Sequence, residues 1–136
     1  MPSFKLHIAT PEKDFFDGEA ECVIMATPFG EIGVLPGHVP SLVALSAAPI
    51  RIQQAGLWKE AALSGGFAEI TNDRVTILAD SAEWPEEIEV ARALEAKRRA
   101  EERIMAMHSG VEYMRTLVAL QRALTRISVA KGTPFR

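Results

Sequence analysis

The distribution of glycine and proline divides this 136-residue sequence at about residue 85. Seven of the nine glycines and seven of the eight prolines lie at or before Pro85, and three such residues follow it: Gly110, Gly132 and Pro134. Since glycine and proline interrupt regular helices and mark turns, the first part must consist of short elements, whereas the second part can form long helices. We therefore predict two domains, residues 1–84 and 85–136.

Short apolar runs between turn residues fill the first part. In "FKLHIA", residues 4–9, every second side chain is apolar, which is typical of a strand with one buried face. Similar runs occupy residues 22–26, 32–35, 41–45, 50–54, 57–63, 67–70 and 74–79. Because no helical segment separates these runs, the pattern favours an antiparallel sandwich or barrel over a parallel sheet.

The pattern becomes helical after Pro85. Proline suits the first turn of a helix, and the two glutamates that follow suit the positive end of the helix dipole. A first helix is predicted from there to about Met107, and a second from about Val111 to Val129, with Gly132 and Pro134 ending the regular structure. The short connection between the helices predicts an antiparallel hairpin.

The apolar surface of this hairpin is thin. In the second helix, four apolar residues recur at 3-4-3 spacing: Leu117, Leu120, Leu124 and Ile127. The first helix offers a complement that is rich in alanine. Such a pair has too little core to be stable alone, so it must pack on the first domain or on another protein. We hypothesise that the hairpin is mobile for this reason.

Arginines form a row on each predicted helix. The first row contains Arg92, Arg99 and Arg103, and the second contains Arg115, Arg122 and Arg126. In a hairpin that turns near Ser109, Arg92 lies opposite Arg126, with Arg99 and Arg122 close by. Guanidinium groups gathered in this way repel one another unless anions intervene, and they bind phosphate in a bidentate manner.

Ion pairs within each helix are the alternative explanation for the arginine rows. Glu95 is three residues from Arg92 and four from Arg99, and pairs at these spacings contribute only about 0.2 to 0.5 kcal/mol. The second helix has a single acidic residue, Glu112, so Arg122 and Arg126 need partners from elsewhere. Those partners could be Glu83, Glu89, a polyphosphate or the acidic surface of another protein.

Composition and motifs argue against several classes of function. No apolar run is long enough to span a bilayer, no secretion signal is visible, and the single cysteine, Cys22, cannot form an internal disulfide. The chain lacks a phosphate-binding loop of the type GxxxxGK[ST] and any evident Ser/His/Asp grouping. The sequence therefore predicts a non-catalytic protein without a metal site, and a free-standing enzyme is the least favoured interpretation.

The charge of the chain divides at the same place as its glycines and prolines. Residues 1–85 hold five Lys/Arg and eleven Asp/Glu, a net charge of −6, whereas residues 86–136 hold ten and seven, a net charge of +3. A basic helical segment therefore follows an acidic body.

Two segments, "GEIGVLPGHVPSLVAL" at 30–45 and "SGGFAEITNDRVTILADSAE" at 64–83, resemble the epsilon subunit family of bacterial rotary ATP synthases. The resemblance covers essentially the whole chain. It implies an α+β fold: an antiparallel β-sandwich of about ten strands followed by a two-helix hairpin. It also implies a seat on the central rotor, with the gamma subunit and the c-ring as partners. We interpret Glu31 and His38 as exposed loop residues, and in this family that loop region faces the c-ring.

Members of this family that bind ATP carry a motif of Ile or Leu, Asp, two variable residues, Arg and Ala. The segment "IEVARA" is similar to it, with Ile88, Glu89, Arg92 and Ala93 at the motif positions and glutamate in place of aspartate. The resemblance extends the nucleotide-binding set to four further residues: Glu83, Arg99, Arg122 and Arg126. It implies ATP as a regulatory ligand, with or without magnesium.

The resemblance also implies how such a protein acts. ATP would hold the hairpin folded down on the sandwich, and low ATP would release the helices toward the alpha and beta subunits, where they inhibit ATP hydrolysis. The protein would be peripheral, at the cytoplasmic face of the bacterial plasma membrane. The alternative is a purely structural rotor connector that binds no nucleotide.

Overall fold

The computed structural model describes residues 2–107 and 109–132, so Pro134, predicted to follow the helical part, lies outside the described residues. Ten strands are present in the described part of the chain: β1 (Phe4–Ala9), β2 (Asp14–Ala20), β3 (Cys22–Thr27), β4 (Gly30–Val34), β5 (Ser41–Leu45), β6 (Ala48–Gln54), β7 (Leu57–Leu63), β8 (Gly66–Ile70), β9 (Arg74–Ala79) and β10 (Ala82–Glu83). A short 3₁₀ turn (Pro85–Glu87) and two helices, α1 (Val90–Ala106) and α2 (Val111–Ala130), follow them.

The strands form two five-stranded sheets that pack face to face. The strand orders are β2-β1-β9-β8-β5 and β10-β7-β6-β3-β4. Neighbouring strands are antiparallel, except that β1 and β9 run parallel. The predicted β-sandwich followed by a helical hairpin is therefore confirmed, and the alternative of a barrel is wrong because the two sheets remain separate.

Alternating apolar side chains from both sheets fill the sandwich core. Strand β1 contributes Leu6 and Ile8, β6 contributes Ile50 and Ile52, and β9 contributes Ile77, all of them almost completely inaccessible to solvent. The β-branched residues favour extended backbone and pack well on a pleated surface. This core supports the ends of the strands from which the hairpin departs.

Strand β2 is not evident from the sequence because aspartates and a glycine interrupt its apolar pattern. It forms by pairing with β1, and the pairing shifts register between Ile8 and Ala9. As a result the neighbouring residues Phe15 and Phe16 both contact the ring of Trp84, with ring centroids 4.5 and 6.3 Å away. This contact anchors the end of the sandwich domain just before the hairpin begins.

Gly66 allows strands β8 and β9 to approach each other at the start of β8. Its φ is +139°, and a Cβ atom at this position would lie 2.1 Å from the carbonyl oxygen of Leu78. Any other residue would both adopt a disfavoured backbone conformation and clash with the neighbouring strand.

The first helix begins later than predicted. Residues Pro85–Glu87 form the 3₁₀ turn, Ile88 is extended with φ −83° and ψ 124°, and α1 starts only at Val90. The backbone N–H of Trp84 donates a hydrogen bond of 2.8 Å to Glu87, which closes the turn on itself. Ile88 then packs against Ala62 and Val129, and this tertiary contact interrupts the helix that the local sequence favours.

The helices form the predicted antiparallel hairpin, and α2 packs on strands β6 and β7. Their buried residues are small or β-branched: Ala93 and Ala100 on α1, and Thr116, Ala123, Thr125, Ile127 and Val129 on α2. Of the predicted leucine-rich stripe only Ile127 is buried, and Leu124 stays exposed. Small side chains let the helices approach closely. The contact between the helices is therefore formed by these small residues and not by the leucines of the predicted stripe.

Candidate functional site

The two arginine rows meet in a groove between α1 and α2. Arg92, Arg99 and Arg126 line a space of about 300 Å³, together with Ala91, Glu95 and Ala96. Ala91 and Ala96 leave the floor of the groove open because their side chains are short. The structure therefore brings together three of the four arginines that the sequence predicts for nucleotide binding.

Arg126 is the most enclosed of these arginines, and it takes its partner from the sandwich. Its Nε donates to Oε1 of Glu83 at 2.7 Å and its Nη2 donates to Oε2 at 3.2 Å. The two side chains are 29% and 28% exposed. This contact confirms the prediction that Arg126 needs a partner from outside its own helix, and Glu83 is that partner. A two-bond pair of this kind fixes both groups.

Arg122 lies on the neighbouring side of α2, in a cleft of about 580 Å³ between the hairpin and the end of the sandwich. Its Nη2 is 3.8 Å from a carboxylate oxygen of Asp80. Arg126, Glu83 and Lys13 also line this cleft, so it adjoins the groove through Arg126. Asp80 was not predicted as a site residue, although its position in the segment 64–83, just before Glu83, could have suggested it.

Arg92 and Arg99 are less constrained than Arg126. The Nη1 of Arg92 is 3.9 Å from an oxygen of Glu89, and both side chains are largely exposed. Arg99 makes no ion pair within 4 Å with any carboxylate in the described part of the chain. These two guanidinium groups are therefore available to an anion at modest cost.

Glu89 occupies the N-cap position of α1, and its side chain makes no capping hydrogen bond. Aspartate is favoured at this position because its short side chain reaches the exposed N–H groups of the first turn. The additional methylene of glutamate instead carries the carboxylate toward Arg92. Glu89 therefore forms an exposed ion pair and does not cap the helix.

The other two motif positions serve packing. Ile88 is 8% exposed and Ala93 is completely buried, and the backbone N–H of Ala93 already donates to the carbonyl of Glu89. Their side chains are therefore inaccessible to a ligand in this conformation of the hairpin. They position the start of α1 against α2 and the sandwich.

The remaining arginines pair within the hairpin. Glu112 lies 3.2 Å from Arg115 and 3.7 Å from Arg103. Glu95 pairs with Arg98 at 2.6 Å rather than with Arg92 or Arg99, and the hydrogen bonds from Arg98 lower the pKa of Glu95 below its ordinary value. Pairs between near neighbours on one helix thus account for Arg98 and Arg115 and, at 3.9 Å, for Arg92. Arg103 instead pairs across the hairpin, and Arg122 and Arg126 pair with the sandwich.

Glu31 and His38, predicted at the rotor interface, lie along the edge of the sandwich formed by β4, the loop 35–40 and β5. These strands are the last of their respective sheets. Glu31 belongs to β4 itself and not to a loop, and His38 follows in the connecting turn. We call this region, together with Phe29 just before β4, the β4–β5 edge; its exposed apolar residues are Phe29, Leu35 and Val39.

Two further features bear on the chemistry that the chain could support. Among the described residues, no group of three or more His, Cys, Asp or Glu side chains is placed to hold a metal ion. No helix in that part of the chain is both long enough and apolar enough to cross a membrane.

Comparison with known proteins follows the same division of the chain. Residues 3–85 match the beta-sandwich domain of the ATP synthase delta/epsilon chain, and residues 86–131 match its long alpha-helix domain. The chain is 51% identical over 128 residues to the ATP synthase epsilon chain of Ruminiclostridium cellulolyticum, covering 94% of this chain and 96% of that one. It is 42% identical over 131 residues to that of Bacillus licheniformis, covering 96% and 100%.

Solved structures agree in fold. A chain of the mitochondrial ATP synthase of Euglena gracilis superposes with a TM-score of 0.79 at 22% identity, covering 92% of this chain and 80% of that one. Epsilon chains are non-catalytic subunits of their complex. With both domain matches spanning nearly all of the sequence, the chain belongs to the delta/epsilon chain family of ATP synthase.

Proposed function

We propose that this protein is a central-stalk subunit of a proton-translocating ATP synthase whose hairpin senses ATP and controls ATP hydrolysis. The observation that carries the nucleotide part is the convergence of Arg92, Arg99 and Arg126 on one groove. Three guanidinium groups at one place suit a polyphosphate better than any single carboxylate. Arg122 adds a fourth cation in the adjoining cleft.

The residues present fit such a ligand. Arg99 makes no ion pair within the described chain, and Arg92 is held only by an exposed carboxylate at 3.9 Å. The phosphates would lie across these two side chains and Arg126, with Glu83 and Glu89 at the margins of the site. Magnesium would accompany the phosphates rather than a protein cluster, since the described residues contain no metal-binding group.

Binding at this groove acts on the position of the hairpin. The groove involves both helices, and Arg126 also joins α2 to the sandwich through Glu83. A ligand that binds only the folded-down state stabilises it by RT ln(1 + [L]/Kd), about 2.7 kcal/mol at a hundredfold excess over Kd. When ATP falls, the helices are released, and their arginines become available to acidic surfaces of the alpha and beta subunits.

The sandwich supplies the attachment to the rotor. On the outer face of the β2-β1-β9-β8-β5 sheet, Phe67 lies directly opposite Leu78, and Leu42 is on the neighbouring strand; all three are more than half exposed. This apolar patch is suited to the gamma subunit, and the β4–β5 edge with Glu31 and His38 is suited to the c-ring. The protein would thereby be peripheral, at the cytoplasmic face of the bacterial plasma membrane.

Equilibrium dialysis of the full chain with ATP tests the nucleotide site. The variant Arg92→Ala, Arg99→Ala removes two groove arginines and leaves the contact of Arg126 with Glu83 intact. We expect at least a tenfold loss of affinity. The matched control is Arg98→Ala, Arg115→Ala, which removes the same charge from the hairpin outside the groove and should bind ATP as the parent chain does.

Two results would contradict the nucleotide site: no retention of ATP by the parent chain, or equal loss in both double variants. Either one favours the alternative, a structural rotor connector. The control of hydrolysis is tested separately in the assembled complex, by comparing the full chain with one that ends after Glu87. If removal of the hairpin does not raise ATP hydrolysis at low ATP, the regulatory part of the proposal fails while the rotor attachment stands.

A further inference from the structure

Glu31, the acidic residue of the β4–β5 edge, is bound to an arginine two strands away. The Nη1 of Arg51, on β6, lies 3.1 Å from Oε2 of Glu31. The Nε of the same guanidinium donates to Oε2 of Glu60 at 3.3 Å. One arginine is therefore shared between two carboxylates, and the group of three carries a net charge of −1.

The strand register explains how Arg51 reaches both partners. Arg51 lies directly opposite Glu60 in the β6–β7 pair. On its other side it faces Ile24 of β3, which in turn faces Gly33 of β4. Glu31 lies two residues from Gly33 on the same face and directly opposite Ala26 of β3, whose short side chain leaves room for Arg51 to extend across β3 to Glu31.

The two carboxylates differ in their surroundings. The side chain of Glu31 is 58% exposed, whereas that of Glu60 is 16% exposed and that of Arg51 is 22% exposed. The Oε1 atom of Glu60 is buried and accepts no hydrogen bond from any described residue. The Oε1 atom of Glu60 is thus an unused acceptor close to the guanidinium of Arg51, whose Nη1 is held by the exposed carboxylate of Glu31.

We propose that Arg51 and Glu60 act as a positioning pair that presents Glu31 to a basic side chain of the c-ring. When a lysine or arginine of the partner binds Glu31, Arg51 turns its Nη groups toward Oε1 of Glu60. A two-bond pair with the buried carboxylate then replaces the pair with Glu31. One ion pair is exchanged for another, so the partner does not leave an unpaired buried charge behind.

Charge and shape support a basic partner at this place. Residues 1–85 carry a net charge of −6, and Glu31 is flanked on the β4–β5 edge by exposed apolar side chains such as Phe29 and Leu35. A segment with one cation beside apolar residues is complementary to this edge. The inference rests on the proposed contact between this edge and the c-ring. It adds Arg51 and Glu60, which that contact alone does not require.

A double-mutant cycle tests the pair. The full chain, in complex with the gamma subunit, is titrated against purified c-ring in detergent at two salt concentrations. We expect Glu31→Gln to weaken binding about tenfold and Glu60→Gln to weaken it severalfold, because Arg51 then loses the buried carboxylate toward which it turns and releases Glu31 less readily. In the presence of Glu31→Gln, the change Glu60→Gln should have no further effect on affinity.

Glu101→Gln is the matched control, an exposed glutamate on α1 away from both proposed rotor surfaces, and it should not change the affinity. If Glu31→Gln weakens binding but Glu60→Gln does not, or if their effects add independently, the positioning pair is wrong and the c-ring seat stands. If neither variant weakens binding, both the positioning pair and the contact of Glu31 with the c-ring are contradicted. Should Glu60→Gln not fold, Arg51→Lys replaces it: a single ammonium cannot bridge both carboxylates, and unchanged affinity with that variant also overturns the proposal.

Discussion

Arg126 of the hairpin and Glu83 of the sandwich are joined by two hydrogen bonds of 2.7 and 3.2 Å, and each side chain is less than one third exposed. Few other polar contacts hold the hairpin to the sandwich in the described part of the chain: the side chain of Gln121 donates to the carbonyl of Ala47 at 3.2 Å, and Arg122 approaches Asp80. The pair is therefore positioned to control whether α2 stays docked.

Replacement of Glu83 by glutamine should loosen the hairpin. It removes one charge of a partly buried pair and leaves Arg126 without a carboxylate, at a cost of about 1 to 3 kcal/mol. Hydrogen exchange of α1 and α2 should become faster while exchange of the sandwich core stays unchanged. Glu86→Gln, which removes the same charge from the exposed 3₁₀ turn, is the control; equal exchange in both variants would show that the pair does not hold the hairpin.

Replacement of Glu89 by aspartate should stabilise the start of α1. An aspartate at the N-cap can accept a hydrogen bond from the first turn, which the present glutamate does not, for a gain of about 0.5 to 1 kcal/mol. The same change restores the family motif, so ATP affinity measured by dialysis should rise as well. Glu86→Asp is the matched control. A gain in thermal stability without a gain in affinity would place Glu89 outside the nucleotide site.

Acid should weaken the 3₁₀ turn through Glu87. The backbone N–H of Trp84, and to a lesser degree Lys13, lower the pKa of Glu87, and partial burial opposes them. Since the folded-state pKa lies below the ordinary value of 4.5, the carboxylate stabilises the fold above that pH, and the contribution is lost as the pH falls through the folded-state pKa.

Urea unfolding at a series of pH values measures this contribution. In Glu87→Gln the stability near neutral pH should be lower, and its dependence on pH below about 4.5 should be flatter. Glu86→Gln changes the charge equally without removing the bond to Trp84, so it should keep the dependence of the parent chain. A parallel loss of stability in parent and Glu87→Gln on acidification would contradict the assignment.

Gly66→Ala should be far more destabilising than alanine at another glycine with positive φ. Gly56 has a φ of +76°, and a Cβ atom added there would meet no other atom within 4 Å. Gly56→Ala should therefore lower the free energy of unfolding only by the cost of holding alanine in a left-handed backbone conformation, about 1 to 2 kcal/mol. At Gly66 the added carbon meets the carbonyl oxygen of Leu78 at 2.1 Å, which forces β8 away from β9. Comparable unfolding midpoints for the two variants would show that the strands can separate there without loss.

Much of this architecture could be predicted because its causes are local in sequence. Alternation in segments such as 4–9 and 74–79, and the loss of glycine and proline after Pro85, indicate a sheet domain followed by helices. The lack of acidic residues after Glu112 indicates that Arg126 needs an outside partner, and Glu83 is that partner. These inferences need only side-chain chemistry and the periods of helix and strand.

The rest depended on contacts between distant residues. Strand β2 forms only because β1 offers an edge, and the helix begins at Val90 because Ile88 finds a site against Ala62 and Val129. The position of Asp80 beside Arg122, and the sharing of Arg51 by Glu31 and Glu60, require three strands and a docked helix to be in place.

By itself, then, the sequence determined the two domains, the strand and helix periods and the arginine rows, since each follows from the order of side chains along one element. Only the tertiary structure decided which carboxylate meets which arginine. Those pairings depend on strand register and on how closely α2 approaches the sandwich, and a difference of a few ångströms separates an ion pair from two exposed charges.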